Sequence, residues 1–503
     1  MVTQQKKHCL LRIQKADREQ LERLIFQRYP AKEWGTFFRF GFRRTDWGLA
    51  ASFVGAARPM PGDLDRTSPV TVFRSRYILR AHHIVEDGSL AAGVIHSHPQ
   101  GFDTFPSPSD DDMDEYYANE FDRYGKGRPY LSVIFARDGD GRFCFTGRIF
   151  DRGECYPVTD LLTVGSTLER ERSQVEAESV PVRDGTEMPT EAVESTTARL
   201  ESLLGRTASK RLGNSKVGII GCSGTGSPAG HVLARAGVRR FVLVDPKRMS
   251  PPNLERQHGS RFVDALQSVP PTKVEILARL IREINPHAEV TCLAGNILDE
   301  LVLDALLECD LLLGCGDSQH CRAALGDIAS HYLLPSIDVA VAMRAKEGKL
   351  KLQLVEICRH APQLPCPFCL RRIDQKALSY ELMTDEELQW RQEAAKDAEA
   401  RGLDGAQYWG GEPPQELTVG YLTSLAGSMT AGYAENMLTG AAEMPHQRFQ
   451  FDIGWEMLGV APVQGKRNPE CSCGKTVGFA DQARADRSVS RPPHWPEPRV
   501  IQA

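Results

Sequence analysis

The sequence predicts two successive domains: a domain of short strand-like runs and turns over residues 1–165, then a doubly wound α/β domain over residues 200–480. Three observations predict this. At 503 residues the chain exceeds one ordinary domain, so two or three are expected. Its first third alternates short apolar runs with turns, as in WGLAASFVGAA, AAGVIHSHP and YLSVIFARDGDGRFCFTGRIF. From about residue 200, buried strands alternate with helices, the pattern of a parallel sheet with crossovers.

Each element follows from local pattern. Asp138-Gly-Asp-Gly141 lies between two strand-like runs and reads as a hairpin turn. Residues 168–198 are polar and poor in large apolar side chains, so 166–199 read as a linker, helical at its start. KVGIIG (216–221) is a buried strand, GSPAGHVLARAG a helix, and RRFVLVD (239–245) a second strand. TKVEILARLIREIN (272–285) is a helix, while AEVTCLAG and DLLLGCGD (310–317) are strands. Residues 380–412 are charged and then Gly- and Pro-rich, an exposed excursion before a helix at 421–438. The Pro-rich end, within 481–503, reads as a flexible tail. No internal repeat is present.

Composition narrows the class. A hydrophobic fraction of 41% with 25% charge is ordinary for a globular chain. The net charge of -5 gives no footprint for nucleic acid or an anionic membrane. The amino terminus lacks the apolar core of a signal peptide, and no run reaches about 18 apolar residues, which predicts a cytoplasmic protein. Thirteen cysteines, scattered apart from one close set, predict reduced thiols plus a metal site rather than a disulfide framework.

His96-Ser-His98-Pro99 carries the first chemistry. Residues two apart on a strand project from the same face, and Asp110 is within loop reach. Two imidazoles and one carboxylate hold a catalytic zinc with a position left open. A hydrolase of this kind needs a base, for which Glu33 in YPAKEWGTFF is the candidate. Ser107 is the candidate donor to a developing oxyanion. A lone His-x-His is more often structural; Pro99, Ser107 and Asp110 together argue against that.

These residues resemble the JAMM (JAB/MPN+) metalloproteases, whose pattern is an upstream Glu, His-x-His-Pro and Ser-x-x-Asp. Here it reads Glu33, His96-Ser-His98-Pro99 and Ser107-Pro-Ser109-Asp110, over roughly residues 15–165. Ser109 and Asp112 also satisfy Ser-x-x-Asp; the Pro-Ser-Pro context favours Ser107 and Asp110. The resemblance implies a JAB/MPN-like α+β (cytidine-deaminase-like) fold. It also implies cleavage of ubiquitin-like proteins from targets, or trimming of their tails.

The strand KVGIIG runs into GCSGTGS (221–227) and a helix, where backbone N–H groups can cradle phosphates. The dinucleotide fingerprint fails because Ser223 takes its second glycine position. Asp245 ends the next strand, where a carboxylate can accept from ribose. Asn253-Leu-Glu-Arg256-Gln257, Lys273 and Asp317 follow. Arg and Lys neutralise phosphates, and a strand-end Asp can hold magnesium.

This order resembles the ThiF/MoeB and ubiquitin-activating-enzyme superfamily over about 200–480. The resemblance implies a Rossmann-like adenylation domain that joins the C-terminal glycine of a ubiquitin-like protein to AMP. By motif, Gly221, Gly224, Gly226 and Ser227 form the loop and Asp245 holds ribose. Asn253, Arg256, Gln257 and Lys273 face the phosphates, and Asp317 holds magnesium. Ser223 and Lys247 depart from the family's pattern. The superfamily's dimers imply a homodimer, with Arg199 or Arg206 reaching a partner's ATP.

Cys366-Pro-Phe-Cys369 and Cys471-Ser-Cys473 form two close pairs that favour a closed structural zinc site. No cysteine lies between Cys369 and Cys471, where thioester-forming activators carry theirs. Cys315 and Cys321 read as small apolar residues. Adenylation without an internal thioester is therefore expected, the acyl group passing to a partner's cysteine, a sulfur donor, an amine or a hydroxyl.

The combined expectation is a bifunctional enzyme of a bacterial ubiquitin-like pathway, of a type associated in part with phage defence. It would use Mg-ATP and zinc, with a conjugating protein as a further partner. The alternative is activation and processing of a sulfur-carrier protein. A non-enzymatic scaffold with degenerate sites is the third reading, and zinc content or ATP turnover would expose it.

Overall fold

A computed structural model describes the chain apart from residues 1–5, 87–88, 103, 126, 175–196, 406–417, 445, 454–458, 464 and 503. Most of the expected linker and the Gly/Pro-rich end of the 380–412 excursion fall outside the described residues. The chain forms two compact units: residues 1–192 with 328–334 and 472–486, and residues 193–327 with 335–471 and 487–503. The sequence predicts consecutive domains; the units instead interleave. Residues 472–486 return to the first unit, where Phe42 N–H donates to Gln482 Oε1 at 2.8 Å and Arg43 Nη1 reaches Asp481 Oδ2 at 3.1 Å. No described helix is long and apolar enough to cross a membrane.

The first unit is α+β. Its strands are β1 (His8–Gln14), β2 (Gly35–Thr45), β3 (Gly48–Ala57), β4 (Ala91–Ser97), β5 (Tyr130–Arg137), β6 (Phe143–Asp151), β7 (Glu154–Val164) and β8 (Leu168–Arg172). They run in the order β1-β3-β2-β4-β5-β6-β7-β8, and β1 also pairs with β7, so β1 to β7 close into a barrel-like ring. Helices α1 (Lys15–Ile25), α2 (Ser75–Glu86) and α3 (Pro108–Gly125) complete it.

Strand alternation divides the core. Ala91 and Ile95 of β4 join one apolar cluster with Leu21 and Ile25 of α1. Ala92 and Val94 join another with Tyr77 and Ala81 of α2 and Tyr117 and Phe121 of α3. The DGDG turn joins β5 and β6 as a hairpin. The linker's start, expected to be helical, is strand β8. Its charges find tertiary partners, Arg170 Nε on Asp160 at 2.7 Å and Glu171 Oε1 on Arg18 at 3.2 Å, and these outweigh helix propensity.

The second unit carries β9 (Lys216–Ile220), β10 (Arg240–Val244), β11 (Glu289–Ala294), β12 (Leu311–Gly314), β13 (Ser336–Lys346), β14 (Lys349–His360), β15 (Arg448–Asp452), β16 (Gly459–Val463) and β17 (Arg499–Ile501). Their order is β16-β15-β14-β13-β12-β9-β10-β11-β17. Strands β13, β12, β9, β10 and β11 are parallel, as the doubly wound prediction requires. From β9 the chain winds outward through β10 and β11, then returns to β12 on the other side. The crevice beyond β9 and β12 is thus a topological switch point, where open α/β sheets bind ligands. The end expected to be a flexible tail is not loose throughout, because β17 pairs antiparallel with β11.

Candidate functional site

The switch-point crevice gathers most of the expected nucleotide residues. Gly221 follows β9 with φ +92°, and Gly226 opens the helix Gly226–Arg235. A Cβ on Gly226 would sit 1.9 Å from Gly221 O, so no side chain fits there. The neighbouring strand delivers Cys315-Gly316-Asp317, with Cys315 N–H bonded to Ile220 O at 2.8 Å. Asp317 is exposed at this mouth. Lys273 opens the helix Lys273–Ile284, and its charge acts on Asp245. Arg256 lies over the loop, its Cδ close to where a Gly224 Cβ would stand.

Several expected ligand residues also hold the loop. Asp245 is buried and accepts from Cys222 N–H and Lys247 N–H, both at 2.9 Å. Burial pushes its carboxyl upward, opposed chiefly by Lys273. Asn253 Oδ1 accepts from Ser250 N–H at 2.9 Å, and Gln257 Nε2 donates to Cys222 O at 3.1 Å. Both amides, expected at the phosphates, bond to the chain itself through these atoms, while Gln257 Oε1 is buried without a partner. Ser227 Oγ donates to Ser223 O at 2.6 Å and accepts from His258 N–H at 2.9 Å, tying down the helix start. Ser223 Oγ, at the departing position, is buried without a partner. Thr418 accepts from Arg256 Nη1 at 2.7 Å, and Thr423 lies beside Gly224. No sequence signal marked either threonine, since both come from far along the chain. Arg199 and Arg206 are exposed on helices that open this unit.

In the first unit, the structure brings His96, His98 and Asp110 together. All are buried, and one ligand atom from each lies within 4.8 Å of the others. His96 Nε2 is 3.2 Å and His98 Nε2 3.6 Å from the Asp110 carboxylate. Neither His96 nitrogen makes a well-aligned hydrogen bond, and both imidazoles face the Asp110 carboxylate. Tetrahedral zinc at about 2.0–2.1 Å from each ligand separates them by about 3.3 Å, and the residues fit. The imidazoles outweigh burial and hold the Asp110 carboxyl well below its usual range.

Asp110 stands in the first turn of α3, where Ser107 N–H and Oγ donate to its Oδ2 at 2.7 and 2.6 Å. Ser107, expected to meet an oxyanion, orients the Asp110 carboxylate. Gly35 of β2 is paired with His96. Continuing that antiparallel register places Glu33 opposite His98. Glu33 Oε2 accepts from Thr71 N–H at 2.9 Å.

In the second unit Cys366, Cys369 and Cys471 also meet, their sulfurs within 4.8 Å of one another. Cys366 Sγ is 3.7 Å from Cys369 Sγ and 3.6 Å from Cys471 Sγ. Thiolates about 2.3 Å from one zinc stand about 3.7 Å apart, so these spacings fit too. By contrast, burial pushes the thiols of Cys222, Cys315 and Cys321 well up, away from nucleophilic use.

The relatives agree with the second unit. A model described as the ThiF family matches residues 196–473. "Adenylyltransferase and sulfurtransferase UBA4" of Kluyveromyces lactis is 30% identical over 154 residues, which are 30% of this chain and 32% of that protein. Molybdopterin-synthase adenylyltransferase of Haemophilus influenzae is 31% identical over 26% of this chain and 52% of its own length. The sulfur carrier protein ThiS adenylyltransferase of Escherichia coli is 31% identical over 22% and 43%. The match thus spans from about a third to a half of these relatives. Among solved structures, E. coli MccB with ATP aligns at 17% identity and TM-score 0.41, over 68% of this chain and 97% of that one. Because the family model covers more than half of the 503 residues, the chain belongs to the ThiF family.

Proposed function

We propose that this protein adenylates the C-terminal carboxylate of a small sulfur-carrier or ubiquitin-like protein. The observation that carries this reading is the convergence of the glycine loop, Arg256, Lys273 and Asp317 on the switch point of a ThiF-family sheet. A carboxylate oxygen would bond to the α-phosphorus of ATP as the α–β bridging bond breaks and pyrophosphate leaves. Loop N–H groups would hold phosphate oxygens, and Arg256 and Lys273 would neutralise the growing charge on the leaving group. Asp317 would hold magnesium. The names of the relatives favour a sulfur carrier over a conjugated modifier, and the buried thiols favour handing the acyl-adenylate to an outside acceptor. The test is ATP–pyrophosphate exchange and intact mass with candidate carriers ending in glycine. Exchange lost in Asp317→Ala supports the reading; no exchange with any carrier overturns it.

A second reading rests on His96, His98 and Asp110. We read the first unit as a JAMM-like hydrolase of peptide or isopeptide bonds in the same pathway. Zinc held there would supply a Lewis acid and an activated nucleophile. Glu33 would carry a proton to the leaving amine, and Ser107 would keep Asp110 oriented. Zinc content and cleavage of a carrier's tail or conjugate test it, with His98→Ala as the control.

A further inference from the structure

A cavity of about 270 Å³ lies in the first unit, walled by Pro106, Ile134, Thr146, Arg148, Tyr156 and Pro157. Strand register fixes its place. His96 pairs with Ile134, Ile134 with Thr146, and Arg148 with Pro157. Directly paired residues point to the same side of a sheet, so the cavity floor continues sideways from the His96 imidazole. Pro106 closes it from the loop that leads into Ser107 and Asp110.

Its wall is mostly apolar. Arg148 is held in it by the helix that carries Asp110, its Nε on Asp114 at 2.7 Å and its Nη1 on Asp111 at 2.6 Å. An apolar recess on the face of the sheet that carries His96 is the chemistry of a side-chain pocket.

We propose that this cavity receives an apolar side chain, such as leucine, from the residue flanking the amide presented to the His96–His98–Asp110 site. The inference rests on the hydrolase reading, and its test separates the two. Cys155 is exposed and lines the cavity, so its alkylation reports occupancy without catalysis.

The full chain, with no zinc added, would be treated with N-ethylmaleimide in the presence of N-acetyl-leucine methylamide or N-acetyl-aspartate methylamide. Each probe would be at about 10 mM, suited to weak binding. Peptide mapping would follow Cys155, with Cys144 as an internal control. The leucine probe should slow Cys155 alkylation severalfold while the aspartate probe does not.

Zinc-loaded protein should then cleave peptides with leucine beside the scissile amide about tenfold faster than those with aspartate. Equal protection by both probes, or none, overturns the pocket. Protection without hydrolysis overturns the hydrolase reading and leaves the recess binding an apolar side chain. Hydrolysis indifferent to leucine or aspartate overturns the pocket's role alone.

Discussion

The His96–His98–Asp110 cluster and the crevice after β9 both stand at strand ends, yet they hold their polar atoms in different ways. In the cluster, the ring nitrogens of a buried histidine go without hydrogen bonds, while the hydrogen bonds gather on Asp110 from Ser107. In the crevice, Asp245, Asn253 and the Gln257 amide nitrogen bond to the chain itself, and Gln257 Oε1 and Ser223 Oγ are buried without partners. On the adenylation reading, binding there would fall to backbone N–H groups and to the more accessible Arg256, Lys273 and Asp317. The contrast is between side chains gathered around one point and side chains that mostly shape a loop.

The sharpest way to break this contrast is at Asp317 and Gly226. Asp317→Ala should lower ATP–pyrophosphate exchange by ~100-fold or more, the scale of removing one electrostatic partner from a transition state. Thermal stability should barely change, because the side chain is exposed. Gly226→Ala should abolish exchange and also lower the melting temperature, since its Cβ would collide with Gly221 O. Equal behaviour of the two variants would remove the distinction between ligand and shape.

His98→Ala should remove one zinc per chain by elemental analysis and leave exchange intact. Cys366→Ser should remove a different zinc and lower thermal stability, because a closed thiolate site contributes directly to folding. If His98→Ala reduced exchange as strongly as Asp317→Ala, independence of the two chemistries would fail. Ser107→Ala should keep the metal but weaken its affinity by ~10- to 100-fold, the usual effect of losing a partner that orients a ligand. Competition with a zinc chelator measures it.

The smallest effect is on pH. Burial pushes the Glu435 carboxyl from 4.5 up to about 7. The folded state therefore holds a proton that the unfolded state releases between those values. Stability from this group is present below about pH 4.5 and declines as pH rises to about 7. Glu435→Gln should flatten that part of the stability profile, measured by denaturant unfolding at pH 5 and at pH 7.

Much of both sites was legible locally. A two-residue period sets His96 and His98 on one face, and Ser107-Pro-Ser-Asp110 is also a helix-start pattern, so one short stretch specifies the carboxylate and the serine that holds it. The glycine loop was legible because its contacts are nearly all within a few residues. Less local matters were not. Arg148, Thr418 and Thr423 carry no motif, and each meets its site only through the fold. Strand β8 reads as helix until Asp160 and Arg18 are placed beside it. Strand β17 reads as loose until β11 offers an open edge.

The sequence by itself determined the parallel sheet and the two clusters of candidate residues, because each depends on periodicity or on spacing within one turn or strand. Only the tertiary structure decided which polar groups remain unsatisfied, that residues 472–486 rejoin the first unit, and that a cavity opens beside His96. Those outcomes depend on which distant segments meet, and hydrogen bonds and packed volume are settled only when they do.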